Sequence, residues 1–179
     1  IQQFADWLEA PALRDQRLLD DPSDHMLKTY YHWVQGGVDF INMDNATIDQ
    51  FDDAQMEWIA KVLNADAARS DIHSLVLGMH AALPESLSAG HSMNDSAQGT
   101  VNGRELYTTL VSFQTQTKKP VYVLASHSHY YMSNIYNTAC RKEKQQTVLP
   151  GWIIGTAGAV RYRLPSDTAQ RGLMALPQW

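Results

Sequence analysis

A single cysteine, Cys140, occurs in the 179 residues. An internal disulfide is therefore excluded, as is a zinc cluster built on thiolates. One thiol fits a reducing compartment without requiring one, and an exported precursor stays open. No apolar stretch approaches the ~20 residues of a membrane-spanning helix. Basic residues are the minority, 14 Lys and Arg against 19 Asp and Glu, and no run of five like charges occurs. The net charge of −5 gives neither a basic nucleic-acid stripe nor a polybasic membrane anchor. Repeats, linkers and low-complexity segments are also missing. The chain starts at Ile1, without Met or signal peptide, as a processed product or a fragment would. With 44% hydrophobic residues, its length suits one core and one domain over 1–179.

Histidine is what stands out. Ser126-His127-Ser128-His129 follows the apolar run Pro120–Ala125, and His80 ends a second run, Leu75–Met79. Both runs read as buried strands, so three of seven histidines lie at or beside strand ends. Ligands of open α/β sheets bind outside such ends, and imidazole is the commonest metal ligand. Small neighbours (Gly78, Ala81, Ala82, Ala125, Ser126, Ser128) would let an ion or phosphate come close.

The remaining pattern alternates. Gln2–Leu19 has helical spacing interrupted at Pro11, and Asp20–Asp24 reads as a turn. Thr29–Val34 and Val38–Met43 flank Gly36-Gly37 and read as a hairpin. Asp52–Ala65 is the strongest helix, with Asp52 and Gln55 spaced as a capping box and a stripe of Met56, Ile59, Ala60 and Leu63. Ser74–Met79 is a strand, Pro84–Asn102 a long polar loop, and Glu105–Thr115 a second helix. Val121–Ala125, Tyr130–Tyr136 and Trp152–Ala159 complete the strands, the last running into a glycine turn. Helices between continuous apolar strands predict a layered α/β fold.

Other polar residues invite plainer roles. His91, in the long loop with Asn94 and Asp95, could donate a proton to a leaving group but reads first as a solvated loop residue. His32 reads as a strand-face residue, Asp71 as a turn residue and His73 as a strand-entry histidine. Asp44 and Asn45 are expected to fix a strand end, and Tyr130 and Tyr131 to pack. Arg161 and Arg163 alternate along what reads as a solvated edge.

Gly78-Met79-His80 after one strand and Ser126-His127-Ser128-His129 after a later one resemble the last two metal motifs of the calcineurin-like metallophosphoesterases. Gly37–Asn45, the helix containing Gln55-Met56-Glu57-Trp58, and Trp152–Ala159 resemble further parts of that domain. The likeness covers roughly Tyr30 to Ala159. It implies a layered α/β sandwich and a phosphoester hydrolase with two divalent or trivalent ions (Mn, Fe or Zn) and a bridging hydroxide. By that resemblance His80 and His127 would bind one ion and His129 the other. The family has Gly where Ser126 stands here. Its earlier motifs, an Asp-x-His pair, a bridging Asp after Gly and an Asn in Gly-Asn-His, have no counterpart, and Asp71-Ile72-His73 lies in the wrong place. The resemblance therefore implies the C-terminal half of such a domain, incomplete at its N-terminus. The missing half would lie upstream or on a partner chain, and an exposed apolar sheet face is expected. The alternative is a non-catalytic module that binds a metal weakly or a partner. The substrate class, beyond a phosphoester, is not fixed by fold.

Overall fold

The hairpin forms as the Gly-Gly turn requires: β1 (Tyr31–Gln35) pairs antiparallel with β2 (Val38–Asn42). Gly36 and Gly37 both have positive φ, +60° and +78°. A computed structural model describes residues 9–88, 90–144, 147–158 and 160–162. Of the Gln2–Leu19 helical reading, residues before 9 lie outside that description. The helix that forms, α1 (Pro11–Asp20), starts at the proline, which needs no amide partner in a first turn.

Beyond the hairpin, α2 (Asp53–Ala68) leads to β3 (Ser74–Met79), and α3 (Ala97–Thr117) leads to β4 (Val121–Ala125). Then follow β5 (Tyr131–Ser133), α4 (Ala139–Glu143) and β6 (Gly151–Ile154). The sheet order is β1-β2-β3-β4-β6-β5. β2, β3, β4 and β6 run parallel, with the antiparallel β1 and β5 on the edges. This is the layered α/β arrangement expected from the alternation of elements.

Burial alternates along the strands and gives the sheet two unlike faces. Leu75, Leu77, Val121, Val123 and Ile153 pack under Ile59, Leu63, Leu106 and Leu110 of the helices. Each such side chain contributes roughly 1.5–3 kcal/mol by leaving water. On the other face, Trp33, Phe40, Val76, Tyr122, Leu124 and Trp152 are only half-buried. The first four occupy one cross-strand row in register. Trp33 stacks on Phe40 with centroids 5.1 Å apart, and Tyr122 lies 6.2 Å from Trp152. These side chains form a contiguous, half-buried and largely aromatic surface on the face away from α2 and α3.

Several expectations need correction. Asp52 caps α2 by accepting from the Gln55 amide at 2.8 Å. The Gln55 side chain does not return to close a capping box; it bonds the amide and carbonyl of Asp44. Ala60 is exposed, and Val62 and Asp66 join the buried face. The polar stretch before Asn102 is helical from Ala97, because Ser96 caps it through the Gly99 amide at 3.1 Å. Glycine costs a helix about 1 kcal/mol, but these glycines are required by packing. A Cβ on Gly99 would meet the Asp49 carbonyl at 2.1 Å, and one on Gly103 the Pro84 ring at 2.5 Å. The strand expected over Tyr130–Tyr136 is only Tyr131–Ser133, since Asn134 turns out at φ +56° and Ile135 and Tyr136 enter the core.

Candidate metal centre

Strand register brings the histidines together. Met79 of β3 is the cross-strand partner of Ala125 of β4. The next residues out are therefore neighbours at the C-terminal edge of the sheet. Ser126 and His127 both donate their amides to the His80 carbonyl, at 2.9 and 2.8 Å. The His80 and His127 rings lie 4.4 Å apart, tilted by 56°.

His91 joins them from the loop between β3 and α3. That loop folds back beside the end of β3 through the Ala82–Ser92 bridge and the Met93 amide on the Ala82 carbonyl. Ser88 holds the loop to the strand-end segment: its Oγ donates to the His91 carbonyl and lies 2.7 Å from Ser128 Oγ. His91 Nδ1 is 3.3 Å from His127 Nε2, and the rings meet edge to face at 4.8 Å. One ring donates and the other accepts, so at least one of the two is neutral. His91 is thus half-buried in the cluster, in place of the solvated loop histidine expected of it.

Burial pushes the His127 imidazole below its ordinary pKa, and the neighbouring histidines His80, His91 and His129 add to that depression. Asp49 acts in the opposite sense and is the acidic residue whose charge reaches this ring. Asp49 has φ +50°, an uncommon conformation for a side-chain-bearing residue. Nothing in the sequence marked it. The neutral form so favoured is the one that binds a metal. His129 donates from Nδ1 to the Val160 carbonyl at 2.9 Å. A carbonyl only accepts, so Nδ1 carries a proton; in the neutral ring the lone pair is then on Nε2, and an anchored second nitrogen is a common feature of metal-ligating histidines.

The supports are local. Asn45, buried, fastens the end of β2 to the residues after β3 by accepting from the His80 and Ala81 amides and donating to the Ala81 carbonyl. Asn45 thus fixes a strand end, as expected, and Asp44 is engaged with Gln55. Gly155 packs where a Cβ would lie 2.1–2.2 Å from the carbonyls of Ser128 and Ser126, so the turn after β6 fits tightly under the histidine segment. Gly78 is less constrained: a Cβ there would make ordinary contacts at 3.8 Å and beyond.

Imidazole nitrogens are among the donors that transition metals take. Among the described residues, no group of three or more His, Cys, Asp or Glu side chains is arranged to hold an ion by itself. Asp71 pairs with Arg69 at 2.7 Å on the surface, and His73 sits at the entry of β3 against Gly37. Tyr130 is packed, Arg161 is exposed and Arg163 lies outside the described residues.

His32 holds a larger role than its strand-face reading. It is buried between Asp39 at 2.8 Å and Asp20 at 2.6 Å, and so ties the end of α1 to the sheet. Burial opposes its charge, but the hydrogen bonds and charges of Asp20 and Asp39 win and raise its pKa to about 9. Burial raises the neighbouring Asp66 to about 8, helped by a hydrogen bond with Asp39 and by that residue's charge. The network lies on β1, β2, α1 and α2, apart from the four clustered histidines.

No family model matches the chain, and no curated protein matches it. Among solved structures it is similar to a purple acid phosphatase, PPD1, from yellow lupin (Lupinus luteus) seeds, at 21% identity and a TM-score of 0.52. That superposition covers 76% of this chain and 24% of the phosphatase. A structure of PhoD aligns at 17% identity and a TM-score of 0.44, over 82% of this chain and 35% of that one. The chain spans about a quarter of the length of the lupin protein. At 21% identity the likeness to the lupin phosphatase is one of fold, a mixed α/β sheet flanked by helices.

Proposed function

We propose that this chain carries part of a metal-dependent phosphoester hydrolase with a two-metal centre. The meeting of His80, His91 and His127 at the C-terminal edge of parallel strands, with His129 beside them, is the observation that supports it most. His80 and His127 would hold one ion and His129 the other through Nε2. When bound, a pair of such ions activates water and clamps the phosphoryl oxygens of an in-line displacement. Manganese, iron and zinc all suit imidazole donors.

His91 would stand on the leaving-group side and hand over a proton, a contribution of ~10²–10⁴-fold. Its anchoring through Ser88 holds it against His127. The four histidines bring no negative charge to balance two cations. The balancing and bridging carboxylates would come from a further half of the domain, upstream or on a partner chain, seated on the open face of Trp33, Phe40, Val76 and Tyr122. Phosphate esters as a class are the proposed substrates.

Hydrolysis of an aryl phosphomonoester and diester by the intact polypeptide, with Mn²⁺ and then with a chelator, tests this. Activity that appears with metal and disappears on chelation is expected. His127→Ala should lower turnover far more than His91→Ala. Equal small losses in both variants would sink the assignment of roles, and inactivity of the intact polypeptide would favour a non-catalytic module.

A further inference from the structure

We infer that Tyr162 is a positioning residue of the histidine cluster, acting through the face of its ring. After β6 the chain turns at Gly158, with φ +79°, and returns over the site. Two hydrogen bonds fasten the returning segment to one histidine. The Tyr162 amide donates to the His129 carbonyl at 3.1 Å, and His129 Nδ1 donates to the Val160 carbonyl at 2.9 Å.

This backbone placement lays the tyrosine ring against two imidazoles. It stacks on His129 at 4.3 Å with an interplanar angle of 21°, and on His91 at 5.0 Å with 24°. His91 in turn meets His127, which meets His80. Among the described residues, the Tyr162 ring is the side-chain contact that joins His129 to the other three. Near-parallel aromatic contacts of this kind contribute ~0.5–1.5 kcal/mol and are directional. The hydroxyl makes no hydrogen bond among the described residues, and the residue is 39% exposed. A tyrosine placed to fill a core would be buried, so its contacts here are those of a spacer between two rings.

The consequence for chemistry rests on the phosphoester-hydrolase reading. His129 would lie on the metal side and His91 on the leaving-group side, so Tyr162 would fix the spacing of the imidazole that holds an ion and the imidazole that gives up a proton. A misplacement of ~1 Å at such a site can cost ~10²-fold in rate.

The test compares Tyr162→Phe and Tyr162→Ala in the intact polypeptide, by histidine proton resonances and by steady-state kinetics. In Tyr162→Ala the ring-current shifts of the His129 and His91 carbon-bound protons should vanish while those of His80 hold. In Tyr162→Phe all should hold. Turnover should fall about 10- to 100-fold in Tyr162→Ala with KM changed less than threefold, and recover in Tyr162→Phe. Unmoved His91 and His129 resonances in Tyr162→Ala, or equal turnover loss in Tyr162→Phe, would overturn the inference. If the resonances behave as expected but the parent protein hydrolyses no phosphoester, the positioning role stands and the hydrolase reading fails.

Discussion

Asn45 is bonded to the first residue beyond β3: its Oδ1 accepts the His80 amide at 3.1 Å. The same atom takes the Ala81 amide at 2.9 Å, and Nδ2 returns a bond to the Ala81 carbonyl. One amide side chain thereby satisfies three backbone groups where the sheet ends and fixes the backbone that carries His80. Asn45→Ala should lower unfolding free energy by roughly 1–3 kcal/mol, because it strands buried donors and an acceptor. Asn45→Asp should also destabilise, since a carboxylate cannot donate to the Ala81 carbonyl. Urea titration of both variants checks this, and an unchanged midpoint would show that the three bonds are not needed.

The His32 network predicts a pH dependence with a definite sign. The folded pKa of His32, about 9, lies above its ordinary 6.5, and that of Asp66, about 8, above 3.8. The folded state thus binds more protons than the unfolded one across both windows. The His32 contribution is complete below pH 6.5 and lost as pH rises through 9; that of Asp66 is complete below 3.8 and lost through 8. The groups facing this site are Asp20, Asp39, Asp66 and the nearby Arg69. Melting temperature should therefore fall between pH 6 and pH 9.5. His32→Ala should cost about 3–5 kcal/mol near neutral pH, because it leaves buried carboxylate charge unpaired. A melting temperature that rises with pH over this range would contradict the assignment.

Much of this fold was legible in the chain, for identifiable reasons. β3 and β4 are apolar runs with sharp ends, so Ser74–Met79 and Val121–Ala125 could be bounded from residue type alone. The cap at Asp52 was readable because it is local. The start of α3 was not, because Gly99 and Gly103 lower helix propensity and their reason lies in Asp49 and Pro84, far off in sequence. The buried His32 network escaped because Asp20, Asp39 and Asp66 meet only in the folded chain. Tyr162 escaped too: it follows β6 with no periodicity, and its partners His91 and His129 are set by topology.

The half-buried aromatic face predicts behaviour in solution. The 179-residue chain alone should self-associate and bind a hydrophobic dye through Trp33, Phe40, Tyr122 and Trp152. Tyr122→Glu should weaken both with little loss of secondary structure, since that side chain points away from the helices. In a polypeptide that carries the proposed covering half, the same substitution should destabilise. Light scattering and thermal unfolding of the two forms give the comparison. A monomeric, dye-inert chain would argue that this face needs no cover.

The same 179 residues should bind metal weakly and hydrolyse no phosphoester, because neutral imidazoles supply donors without the charge that two ions require. Calorimetry with Mn²⁺ and Zn²⁺ and a turnover assay on this chain check it. Tight uptake of two ions per chain would mean that carboxylates within it, with Asp44, Asp49, Asp71 and Asp95 the first to examine, serve as ligands.

Anomalous diffraction from crystals of the intact polypeptide grown with Zn²⁺ addresses the central claim most directly. The account predicts one ion ~2.0–2.1 Å from ring nitrogens of both His80 and His127, and a second at the same distance from His129 Nε2. Ions bound only elsewhere, with all three imidazoles unligated, would contradict it.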